Sequence, residues 1–225
     1  MTPMTEAEWL GCTDPQRMLA FLDVGVSDRK RRLFTCACCR RIWDFLDRRA
    51  RQAVEVAERY ADGQAGHGDL VQARNALLGF FPDNSRGRAT AAAYCAVQDW
   101  ADAAGAARYA AEIVEYPDPG TWVIFNGGKI MGAVERAVQA GLLREIVGNP
   151  FRRIYAEDSW LRWNDECVVK IARNIYEKQR FDDLPILADA LIDAGCSHWN
   201  VIHHCQERGP HVRGCWVIDL LLGKD

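Results

Sequence analysis

The sequence predicts an all-α protein, a compact bundle of about nine or ten helices with at most one short β-like segment near 121–125. Three observations carry that prediction. Apolar residues return at spacings of three and four along nearly the whole chain, the period of helices with one buried face. Capping residues, prolines and glycines stand where the period starts and stops. Only one stretch, TWVIF at 121–125, has the β-branched and aromatic density of a strand.

Taken in order, a short helix spans roughly residues 5 to 11, and Thr13-Asp14-Pro15 then supplies an N-cap and a proline at the first position of a second, ending near Leu22. Ser27-Asp28 caps a long helix from 28 to about 46, restarting at 47 and holding its period to Gly63. HGDLVQARNALLGFF reads as the next helix, and FPDNSRGR as a turn. The alanine-rich run from Ala89 to Val114 is helical by propensity, with small side chains that permit close helix approach. YPDPG, at 116–120, breaks the chain and is the one boundary candidate, so the expectation is a single domain over 1–225 or two apposed halves, 1–116 and 117–225. After TWVIF, Gly127-Gly128 leads into a helix stopped by Gly148-Asn149-Pro150. DECVVKIARNIYEKQ, LPILADALIDAG, SHWNVIHHCQ and PHVRGCWVIDLLLG complete the set, the last opening at Pro210.

A chain of 225 residues is long enough to remove roughly 70% of its unfolded surface from water, so folding needs no covalent staples. Its net charge of -3 argues against a generic polyanion binder. No uncharged apolar run reaches the length of about 18 residues that a membrane helix needs. The opening MTPMTEAEWLGC has neither a basic nor an apolar leader region, so the expectation is a cytoplasmic protein without membrane contact. In that compartment the nine cysteines read as reduced thiols or metal ligands.

Three of those cysteines sit in TCACCRRIW, residues 35–43. Drawn as one helix over 28–51 at about 100° per residue, the segment gathers Arg29, Lys30, Arg40, Arg41, Arg48 and Arg51 into an arc of about 120°. Cys36, Cys38 and Cys39 fall opposite, with Phe34, Ile42, Trp43, Phe45 and Leu46. Buried thiols acting as small hydrophobes explain that placement. The competing reading gives Cys36 and Cys39 as two ligands to zinc or an iron–sulfur cluster. The segment carries nine basic and three acidic side chains, net +6, and its basic face suits an acidic protein partner. Nucleic acid is the alternative, and would show as affinity falling steeply with salt.

The second concentration lies in CSHWNVIHHCQERGPHVRGC, residues 196–215, which holds four of the five histidines. Cys196, His204, Cys205, His211 and Cys215 are candidate zinc ligands, with His211 and Cys215 on one face if the last helix starts at Pro210. The plainer reading makes Cys196 and Cys205 core positions. A third makes Cys205 or Cys215 a thiol nucleophile activated by a neighbouring histidine. FNGGKI resembles a phosphate loop only loosely, lacking its first glycine and holding Ile130 where a Ser or Thr belongs, and reads as a turn into a helix. Asp182-Asp183 suits helix initiation before Pro185, and no nucleophile elbow, HExxH or dinucleotide fingerprint is present, so no catalytic residue is assigned.

EAEWLGCTDPQRMLAFL, SDRKRRLFTCACCRRIW, AVEVAERYADG, LLREIVGNPFR, LPILADALIDAGC and HVRGCWVIDLLLGKD together resemble a multi-copy family of uncharacterised proteins encoded in planctomycete genomes. The resemblance covers roughly the first 65 and last 85 residues and leaves out 83–127. It implies neither catalytic residues nor a mechanism, and a many-copied family suggests interaction work. The leading expectation is therefore a non-catalytic helical interaction module that needs no cofactor. The alternatives are a zinc protein with a structural or hydrolytic C-terminal site, and a nucleic-acid-binding accessory protein.

Overall fold

The computed structural model describes residues 3–22, 25–115 and 132–224. Among them are twelve α-helices, two short 3-10 turns and no strand. The YPDPG boundary, the β-like TWVIF and FNGGKI all lie outside the described residues. The chain divides into two compact units, residues 1–144 and 145–225.

The first unit opens with α1 (Glu6–Gly11) and α2 (Pro15–Phe21). Thr5 and Glu8 form a reciprocal capping box on α1, and Asp14 accepts the Gln16 N–H at 3.0 Å on α2. Next come α3 (Asp28–Arg41), α4 (Arg48–Ala61), α5 (His67–Leu77), α6 (Ser85–Ala96), α7 (Ala103–Glu115) and α8 (Gly132–Val147), whose last residues, from Glu145, belong to the second unit. Helix α3 is central and packs against α4, α6 and α7. Cys36, Cys38 and Cys39 are all buried on it, so the sulfurs do point inward.

The restart expected at 47 is found, although the helix before it ends early, and the alanine-rich helix is broken in two. The segment drawn as one helix over 28–51 stops at Arg41, passes through a 3-10 turn at Trp43–Phe45, and restarts after Asp47, whose carboxylate accepts the Ala50 N–H at 2.8 Å. Arg48 and Arg51 therefore sit on α4 and share no helical face with Arg29 and Arg40. The alanine-rich run breaks between α6 and α7. There Asp102 accepts the Gly105 N–H at 2.8 Å, and a Cβ on Gly105 would meet the Asp102 carboxylate at 2.1 Å, so only glycine fits beneath this cap. Helix α6 also starts earlier than the sequence suggested, because Asn84 accepts the Gly87 N–H at 3.0 Å and turns SRGR into its first turn.

The second unit is built from α9 (Asp158–Lys178), α10 (Leu184–Asp193), α11 (Trp199–Gln206) and α12 (Trp216–Leu222), with a 3-10 turn at Phe181–Asp183 before α10. Helix α9 is interrupted at Trp163–Glu166, where Asn164, Asp165 and Glu166 are left-handed. Val168, Ala172 and Ile175 of α9 meet Leu187 and Leu191 of α10, Val201 of α11, and Val217, Ile218 and Leu221 of α12 in one core. Each fully buried Val, Leu or Ile among them contributes about 1.5–3 kcal/mol of transfer free energy. The last helix begins at Trp216 and not at Pro210, with Cys215 at its N-cap position. A turn closed by the Cys215 N–H on the Val212 carbonyl, 3.0 Å, precedes it, with Gly214 at φ 92°.

Candidate metal centre

Four side chains of the second unit converge: Glu145 from the last turn of α8, His204 from the last turn of α11, His211 from the following loop, and Cys215 at the start of α12. One donor atom of each lies within 4.8 Å of all the others. Nε2 of His204 is 3.2 Å from the Cys215 sulfur and 3.3 Å from the Glu145 carboxylate. Nδ1 of His211 is 3.1 Å from the other oxygen of Glu145. A zinc ion with ligands about 2.0–2.3 Å away spans a tetrahedron with edges of about 3.3–3.8 Å, so these separations are close to those a bound ion needs.

Water is largely excluded. Side-chain exposure is 12% for His204, 9% for Glu145 and 8% for His211, and Cys215 is fully buried. Burial alone would push Glu145 up, but hydrogen bonding to His204 and His211 outweighs it and holds the carboxyl below its usual range. Burial would likewise lower His211, and it is overcome by Glu145 and by the Glu207 carbonyl, which leave the imidazole raised. Burial, reinforced by the Glu145 charge, pushes the Cys215 thiol well above its ordinary value.

The surroundings of the two rings differ. Nε2 of His211 lies 3.1 Å from the Glu207 carbonyl, which can only accept, so that nitrogen carries a proton and Nδ1 faces the cluster. Nδ1 of His204 lies 3.1 Å from Nε1 of Trp216, whose N–H donates to it. Trp216 in turn packs on Gly148, where a Cβ would come within 3.2 Å of the indole.

Of the ligands expected from the sequence, His204, His211 and Cys215 are thus brought together, though through a turn and not along one helical face. Cys196 and Cys205 are not among the four; both are buried in the core of the second unit. Burial, with the charge of Glu145 and Cys196 adding to it, pushes the Cys205 thiol up to about 12, which is no state for a nucleophile. Cys215 has His204 within hydrogen-bond reach, but its burial and raised thiol oppose attack on a solvent-borne substrate in the same way. Glu145 has no signal in the sequence: it is one acid in LLREIVGNP, 66 positions before His211.

Among the described residues the convergence includes none of Cys36, Cys38 and Cys39, whose thiols burial pushes well above the ordinary value. The basic residues expected to meet a partner are engaged largely within the first unit. Arg29 pairs with Asp62 at 3.3 Å. Arg40 forks onto Glu58 at 2.9 and 2.7 Å and stacks over Trp43. Arg41 meets Glu135 at 2.7 and 3.2 Å. Arg51 donates to the Trp43 carbonyl at 3.0 Å, Arg48 is exposed at the start of α4, and Lys30 is half-buried.

Fold and cluster together define the class: an all-α protein with a largely buried Glu/His/His/Cys donor set. No protein-family model matches the chain, no curated protein is detectably similar to it, and no solved structure matches it. Among the described residues no helix is long and apolar enough to cross a membrane.

Proposed function

We propose that the protein binds zinc, with Glu145, His204, His211 and Cys215 as the four ligands, and that the ion has a structural role. The observation that carries this reading is the convergence of four donors from four separate places in the chain within 4.8 Å. One thiolate, two imidazoles and a carboxylate form a mixed donor set suited to zinc; calcium and magnesium prefer oxygen alone. Four protein ligands close the tetrahedron, and a hydrolytic centre keeps one position open for water. The ion would tie the 207–214 segment and the start of α12 to the end of α8. The carboxylate pairings of Arg29, Arg40 and Arg41 weigh against the basic face as the principal working surface.

Metal analysis of protein purified without a histidine tag is the test. We expect one zinc per chain, and at least about a 100-fold loss of zinc affinity in Cys215→Ala and His211→Ala, since even changes to residues behind the ligands cost 10–100-fold. A folded chain that neither retains zinc nor takes it up on dialysis refutes the reading.

A further inference from the structure

Resting on that zinc reading, we propose that Trp216 tunes the site: its indole N–H holds the Nδ1 lone pair of His204 and so opposes zinc at the other ring nitrogen. An indole N–H can donate and cannot accept. At 3.1 Å it therefore requires a lone pair on Nδ1 of His204, and the single proton of the neutral ring then sits on Nε2. That proton has two acceptors ahead of it, the Cys215 sulfur at 3.2 Å and the Glu145 carboxylate at 3.3 Å. Zinc needs the lone pair at Nε2. Loading it there moves the ring proton to Nδ1, where two N–H groups would face each other across the same 3.1 Å.

Histidines that ligate metals ordinarily have an acceptor behind the ring. His211 has one in the Glu207 carbonyl, whereas His204 has a donor. The groups behind the two rings thus act in opposite senses, an acceptor that favours the ion behind His211 and a donor that opposes it behind His204. Loading requires the Trp216 indole to give up its hydrogen bond. The indole lies against Gly148 and the residue is only half-buried, so it is not enclosed on every side. Trp216 would in this way set the zinc level at which the site fills.

Trp216→Phe keeps an aromatic ring against Gly148 and removes the N–H. Competition with a chromophoric chelator at one fixed pH is expected to show zinc bound about three- to tenfold more tightly by the variant, the effect of one hydrogen bond. Equal or weaker binding overturns the proposal. Long-range 1H–15N spectra of the metal-free wild-type chain give a reading that does not depend on the variant folding: the proton of His204 is expected on Nε2, and finding it on Nδ1 overturns the proposal. If wild type takes up zinc and the variant binds it no more tightly, only the role of Trp216 is lost. If neither chain takes up zinc, the metal reading falls and the tuning role falls with it.

Discussion

Arg32 is fully buried, and its guanidinium donates to the carbonyls of Ala96, Gln98 and Asp99 at 2.7, 2.8 and 3.0 Å and to the Asp28 carboxylate at 2.8 Å. A planar fork of donors is the one side chain that can serve so many acceptors at the end of α6. Removing it takes the donor from three carbonyls at the end of α6 and leaves the Asp28 carboxylate with the Ala101 N–H at 3.4 Å. Arg32→Ala is therefore expected to lose at least about 1–3 kcal/mol in chemical denaturation of the first unit, the cost of carbonyls left unpaired, and a loss below about 1 kcal/mol would contradict this account. The role of Arg32 was not legible in the sequence. At about 300° from Arg29 it falls in the apolar arc of α3, but the carbonyls it serves lie more than sixty positions downstream. Glu145 was hidden for the same reason, whereas His204, His211 and Cys215 stood out because they cluster locally. At the metal centre, zinc must displace the proton of a thiol pushed well above its usual value, so zinc affinity is expected to rise from pH 6.5 to 8. A flat pH profile in competition titrations would argue that Cys215 is not a ligand.

At the scale of the element, α3 shows what period and capping can and cannot reveal. Cys36, Cys38 and Cys39 are buried as the period suggests, but residues 32–39 of α3 are buried on every side, which the period does not show. Nothing in that period marks the stop at Arg41, where the Ile42 N–H turns back to the Cys39 carbonyl and a 3-10 turn follows before the Asp47 cap of the next helix. Likewise the alanine-rich run keeps its propensity throughout and divides because Arg32 and Asp102 capture backbone groups at the break. Pro210 looked like a helix start and stands instead in a loop that carries His211 into the cluster. Burial raises the three α3 thiols well above 9.0, while in the unfolded chain they ionise near that value. The sign follows: their contribution to stability is complete below about pH 9 and is lost as pH climbs toward the folded values. Iodoacetamide at pH 9 is expected to leave Cys36, Cys38 and Cys39 unmodified in the folded chain and to label them in urea. Rapid labelling of the folded chain would contradict their burial.

For the molecule as a whole, an all-α fold was legible because nearly every helix carries its own start signal and an apolar face. The division between residues 144 and 145 falls within α8, where the helical period runs on unbroken. All four proposed ligands belong to residues 145–225. A chelator is therefore expected to speed amide hydrogen exchange in α11, α12 and the end of α8, while α3, α4, α6 and α7 stay protected; uniform acceleration in both units would contradict a local role for the ion. X-ray absorption at the zinc edge, on zinc-loaded protein without a tag, tests the central claim most directly. The account predicts a four-coordinate shell with one sulfur at about 2.3 Å and three nitrogen or oxygen atoms at about 2.0–2.2 Å. Two or more sulfurs, as Cys196 or Cys205 would supply, or none at all, would contradict it.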